Sequence, residues 1–187
     1  MRGFTLIEMM VVLGIVAILG GMFFLNFRQE NESLALDRAS HRIAQDIRRA
    51  ANLALQSEGV DNCESPDKPA SGYGLYVKES NPSQYIIYGE CEHKPGDSDK
   101  EGYKASKDAV IETLTLESSI EIDSVVESGG GDDWSIAFFP PTPVVAICAD
   151  DNCNAKLAEA SVTLHAKSNS ALQKTIKVYA SGIVDIQ

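Results

Sequence analysis

The chain has 187 residues, 44% of them hydrophobic, and a formal net charge of −11. All six arginines lie in the first 49 residues, so the part from Ala50 onward sets ten lysines against 22 acidic residues. A segment this acidic repels a phosphate backbone, which speaks against nucleic acid as a partner.

The first element in chain order is an apolar helix. Met9 to Phe27 is a 19-residue stretch without a charged side chain. As a helix, Phe4 to Phe27 would reach about 36 Å at roughly 1.5 Å per residue, enough for a hydrocarbon core of about 30 Å. Glu8 is the anomaly in it, because a carboxylate in hydrocarbon costs on the order of 3 kcal/mol and is kept where a partner cation or a function offsets that cost. An ordinary secretory signal peptide is the bland alternative, but the run is long for one and lacks a small-x-small cleavage site in a polar flank. A plain signal anchor leaves Glu8 unexplained.

Gly3-Phe4-Thr5-Leu6-Ile7-Glu8 followed by an apolar helix resembles the class III signal of type IV pilins and type II secretion pseudopilins. The resemblance implies that a prepilin peptidase on the cytoplasmic side cuts after Gly3 and that Phe4 becomes the N-methylated new N-terminus. It makes the Glu8 carboxylate the group that attracts the N-terminal ammonium of a neighbouring subunit during assembly, an attraction much larger in low dielectric than in water. It also implies a single membrane span in a bacterial inner membrane, with the N-terminus cytoplasmic and the head extracytoplasmic, later part of a periplasmic or extracellular filament. The expected partners are other pilin or pseudopilin subunits, the peptidase and the membrane. The leader Met1-Arg2-Gly3 is shorter than is usual and has one positive charge, which fits the positive-inside tendency.

Beyond Phe27 the pattern turns amphipathic without a breaker. Leu36, Ala39, Ile43, Ile47, Ala50, Ala51 and Ala54 recur at three- and four-residue spacing, with Asp37, Arg38, Arg42, Asp46, Arg48 and Arg49 between them. The spacing predicts one helix from near Thr5 to about Ser57, ended by Gly59, its outer half laying an apolar stripe on a globular head. Ala17-x-x-x-Gly21 is a small-x-x-x-small spacing that lets helices approach closely.

From Gly72 onward β-branched and aromatic residues predict strands at Tyr73–Val77, Gln84–Gly89, Val110–Leu116, Ile120–Val126, Trp134–Phe139, Val144–Cys148, Ser161–Ala166, Lys174–Ala180 and Ile183–Ile186. Turn residues separate them. The expected fold class is α+β: a long N-terminal helix packed on an antiparallel β-sheet head. The domain layout is then a leader at 1–3, a filament-core helix at 4–27, its amphipathic continuation at 28–58 and a β-rich head at 59–187.

Cys63, Cys91, Cys148 and Cys153 all lie beyond the anchor, where an oxidising compartment would be if the N-terminus stays cytoplasmic. Three pairings are open from sequence. Cys63 with Cys91 and Cys148 with Cys153 are favoured because each pair brackets one candidate strand or turn. A zinc site is the alternative, without paired Cys-x-x-Cys spacing and with His41, His93 and His165 scattered. Asp97-Ser98-Asp99-Lys100-Glu101 and Asp150-Asp151-Asn152 are oxygen-rich but match no full calcium loop, so no metal and no cofactor is expected. No Gly-x-Ser-x-Gly elbow, Walker loop, His-Glu-x-x-His or dinucleotide glycine pattern suggests an enzyme.

The head also resembles the H-type minor pseudopilins and FimT-like minor pilins, through Gly-Tyr-Gly-Leu-Tyr-Val at 72–77, Trp-Ser-Ile-Ala-Phe-Phe-Pro at 134–140 and Lys-Val-Tyr-Ala-Ser-Gly-Ile-Val-Asp-Ile at 177–186. That likeness implies a minor subunit of a secretion machine or pilus.

Overall fold

A single helix of 51 residues, α1 (Leu6–Gln56), carries the whole N-terminal part of the chain, about 75 Å at 1.5 Å per residue. The structure is a computed structural model that describes residues 4–56, 63, 70–91, 102–127, 133–140, 144–149 and 158–187, without the side chains of 22–29, 126, 127, 144 and 149. The helix ends within one residue of the expected Ser57, and Gly59 lies outside the described residues.

Nine strands follow among the described residues: β1 (Gly72–Lys78), β2 (Gln84–Glu90), β3 (Ala109–Thr115), β4 (Ile120–Glu127), β5 (Asp133–Phe139), β6 (Val144–Ala149), β7 (Glu159–Ala166), β8 (Asn169–Tyr179) and β9 (Val184–Ile186). They form two antiparallel sheets, a five-stranded one in the order β3-β2-β1-β5-β6 and a four-stranded one in the order β4-β7-β8-β9. The sequence pattern implied one sheet. Two arise because the chain leaves the first sheet after β3, builds β4, and returns to pair β5 beside β1. Strand β8 begins five residues before the expected Lys174, since its extra length pairs along β7 through a register shift between His165 and Ala166.

The turn between β1 and β2 joins the sheets. Ile122 N–H donates to the Pro82 carbonyl at 2.8 Å, Leu116 N–H to the Ser83 carbonyl at 2.9 Å, and Val125 N–H to Glu79 Oε1 at 2.8 Å. The last bond follows a bulge in β4 between Ile122 and Ser124, so a side chain supplies the acceptor that the irregular ladder lacks. The β8–β9 turn needs Gly182, whose φ of 81° is costly for an L side chain.

One apolar core fills the space between helix and sheets. Leu36, Ala39, Ile43, Ile47, Ala50 and Ala54 of α1 meet Tyr73, Leu75, Trp134, Ile136 and Phe138 of the larger sheet and Val162, Leu164, Ile176 and Val178 of the smaller. Burying each large aliphatic side chain contributes roughly 1.5–3 kcal/mol. Three of the six helix positions are alanine, which brings the backbone close to the strands. The one buried hydroxyl on that face, Ser40, donates to the Asp37 carbonyl at 2.9 Å within its own helix.

Candidate assembly site

Thr5 and Glu8 open the helix together. Glu8 N–H points to Thr5 Oγ1 at 3.4 Å and Thr5 N–H to Glu8 Oε2 at 3.5 Å, long contacts in the reciprocal arrangement of a capping box. Glu8 N–H and Met9 N–H also approach the Thr5 carbonyl at 3.1 and 3.3 Å. The carboxylate therefore sits in the first turn, against the positive end of the helix dipole. Phe4, directly before it, is 80% exposed. Gly3 lies outside the described residues.

From Phe4 to Gly21 every residue is exposed, including Leu6, Ile7, Met10, Leu13 and Ile18. Among the α1 residues whose side chains are described, the first buried one is Ala35. Contiguous apolar surface on this scale marks a partner or a lipid phase. Gly14, Gly20 and Gly21 face open space, so no contact within the chain uses their small size. Among the described residues no helix is long and apolar enough to cross a membrane. The described apolar side chains stop at Gly21.

The outer half of the helix is clamped to the head by polar pairs along both flanks of its apolar stripe. Arg38 grips Glu117 with two bonds, Nε to Oε1 at 3.0 Å and Nη2 to Oε2 at 2.9 Å. Arg49 Nη1 meets Glu112 Oε2 at 2.7 Å, Tyr85 OH donates to Asp46 Oδ2 at 2.6 Å, Lys174 pairs with Asp37, and Ser168 donates to Glu32. Arg38 holds the Glu117 carboxyl below the usual carboxylate range by its hydrogen bond. Tyr85 is pushed well above the ordinary phenol value, first by burial and then by the bond to Asp46. Nothing local in the sequence marks these pairs, because their members lie far apart along the chain.

On the face of the larger sheet away from α1, a second group escaped sequence reasoning. The Tyr103 ring lies 4.6 Å from that of Tyr76 and 5.0 Å from that of Tyr88. Tyr103 N–H donates to buried Ser135 Oγ at 3.3 Å, while Asp108 accepts from Lys104 N–H at 2.7 Å and Cys91 N–H at 3.2 Å. Asp108 thus ties segment 102–108 to the end of β2. Burial raises the phenols of both Tyr88 and Tyr103. The tyrosine content of Tyr73, Tyr76, Tyr85 and Tyr88 was the available signal for aromatic packing.

Cys63 and Cys91 form a disulfide across 28 positions, tying the segment after α1 to the end of β2. Cys148, on β6, is also disulfide-bonded, and Cys153 lies outside the described residues. The acidic loops 97–101 and 150–152 lie there too, as does His93. His41 is exposed on the helix, and His165 sits 3.2 Å from Asp123 on the smaller sheet. Among the described residues no group of His, Cys, Asp or Glu could hold a metal ion.

The site is thus an N-terminal helix that exposes its apolar half and opens on Glu8. Residues 1–24 match the family described as prokaryotic N-terminal methylation motif. The chain carries a class III signal. That signal is characteristic of type IV pilins and pseudopilins, and it implies processing by a prepilin peptidase. The helix on antiparallel sheets is consistent with a pilin-like fold. Comparison with curated proteins and with solved structures gives no match.

Proposed function

We propose that the protein is a structural subunit, a minor pseudopilin or minor pilin, of a type IV filament-like assembly serving type II secretion or a type IV pilus. The observation that carries this reading is the class III signal placed on a helix whose residues from Phe4 to Gly21 are all exposed. In this reading the peptidase cuts after Gly3 and Phe4 becomes the methylated N-terminus. The segment from Phe4 to Phe27 spans the inner membrane once and later lies in the filament core, with the head from residue 59 on its outer surface.

Glu8 has the assembly role. In a monomer its carboxylate is shared with the first turn of its own helix, an arrangement that lowers the cost of holding it in lipid. A neighbour's ammonium is a stronger partner than a backbone N–H in a low-dielectric core, so assembly exchanges one for the other. The role is mechanical, not enzymatic, and the acidic head argues against direct DNA capture.

The test expresses the full chain with its peptidase and assembly machinery. Intact-mass analysis should show loss of Met1 to Gly3 and one methyl group on Phe4. Glu8→Ala should insert and be cleaved, yet enter sheared filaments at a small fraction of the wild-type level. Normal incorporation of Glu8→Ala would remove the charge role. A processed wild-type chain that stays in the membrane would instead make it an anchored binding domain that does not polymerise.

A further inference from the structure

The side of α1 opposite its core stripe is unusual for so acidic a chain. Gln45, Arg48, Asn52 and Gln56 recur there at three- and four-residue spacing, all exposed, and with Arg49 and Leu53 they line a shallow recess of about 340 Å³. Arg38 and Arg49 are engaged by Glu117 and Glu112 of the head. Arg42 lies in the field of Glu117. Arg48 has no ion-pair or hydrogen-bond partner among the described residues, although the chain has 27 acidic residues.

We propose that this face, centred on Arg48, is a docking surface for carboxylates on the head of an adjacent subunit in the filament. The inference rests on the reading of the protein as a filament subunit and adds a second, head-level contact to the one at Glu8. Three arguments select the occupant. Arg48 stands 20 residues, about 30 Å, beyond Arg28 along the helix axis, several times the screening length of about 8 Å, so lipid headgroups are out of reach. Nucleic acid is repelled by a net charge of −11. An acidic protein surface is attracted by a guanidinium that can bind it in a fork, with the Gln45, Asn52 and Gln56 amides beside it able to satisfy further polar groups. The part of this chain from Ala50 onward, with 22 acidic residues against ten lysines, is itself a surface of that chemistry.

The experiment uses the full chain in cells with its peptidase and assembly machinery. A photo-cross-linking residue replaces Asn52, and cross-links are scored in sheared filaments with Arg48 as wild type, Arg48→Lys or Arg48→Glu. The expected result is a wild-type cross-link to an acidic head segment of another subunit, retained in large part in Arg48→Lys and reduced at least fivefold in Arg48→Glu. Cleavage after Gly3 and thermal stability should stay unchanged, since Arg48 is exposed. Arg48→Glu cross-linking at the wild-type level, or a cross-link to lipid or to an apolar partner, overturns the proposal. If Glu8→Ala blocks incorporation while Arg48→Glu filaments keep the wild-type cross-link, this surface fails alone and the filament reading stands. A wild-type chain never found in filaments overturns both.

Discussion

The Tyr88 ring lies across the backbone of Gly74, its directly opposed partner in the β1–β2 ladder. A Cβ built on Gly74 would fall 2.6 Å from two atoms of that ring and 2.4 Å from the Ile136 carbonyl oxygen on β5. Glycine in a strand usually weakens it, but here its missing side chain admits an aromatic ring and a neighbouring strand at once. Gly72 repeats the device two residues earlier under Phe139, whose ring atoms lie 2.7 and 2.8 Å from a hypothetical Cβ.

Gly74→Ala should therefore destabilise the head by about 2–3 kcal/mol, the range for overpacking a tight site. Urea denaturation of the full chain in detergent, followed by Trp134 fluorescence, measures it. Adding Tyr88→Leu should recover only part of the loss, because the Ile136 carbonyl belongs to the backbone and cannot turn away. Full recovery would mean that the ring alone decides.

Removing the Cys63–Cys91 bridge frees a loop spanning 28 positions. Chain-entropy arguments put its contribution at about 3.5 kcal/mol. Cys63→Ser with Cys91→Ser should lower the denaturation midpoint accordingly while the class III signal is still processed. The double change is needed, because one free thiol could exchange with the disulfide that contains Cys148.

Arg38→Ala should change the stability at neutral pH only slightly, since both partners are largely solvent-exposed. The pH dependence has a definite sign. Glu117 is lowered in the folded state, so its contribution is present above the unfolded carboxylate value of about 4.3 and is lost as pH falls through the lower folded value. Comparing acid unfolding of wild type and Arg38→Ala should show the two curves converging on the acid side as Glu117 takes up its proton.

Tyr85 acts at the other end of the scale. Its phenol is raised in the folded state, so the associated stability is intact below the unfolded value of about 10 and declines as pH rises beyond it. Tyr85→Phe removes the donor to Asp46 at a cost of about 1–2 kcal/mol at neutral pH. The same change should make the alkaline arm of a stability profile shallower, and an unchanged slope would show that Tyr85 ionisation does not control it.

Thr5→Val keeps the helix register but removes the hydroxyl that caps Glu8 N–H. Loss of a cap is worth about 1 kcal/mol. Amide exchange at residues 6–8 of the micelle-embedded chain should accelerate roughly fivefold, and exchange beyond Ala35, where the helix is held by the head, should not change.

Residue order by itself determined most of the elements and the class III signal at the N-terminus. The uncharged run beside one carboxylate, the change to a stripe of Leu36, Ile43 and Ile47, and the alternation within several strands are local patterns, and local geometry of period 3.6 or 2 makes them legible. The tertiary structure alone decided that the nine strands divide into two sheets, that Gly72 and Gly74 lie under aromatic rings, and that Arg38, Asp46 and Arg49 reach Glu117, Tyr85 and Glu112. Those relationships join residues tens of positions apart. They depend on which strand pairs with which and in what register, and a chain records that choice only through the summed packing of its core. Arg48 shows the difference most plainly: in the sequence it is one of six arginines, and only the fold reveals that Arg38 and Arg49 are paired with head carboxylates while it is not.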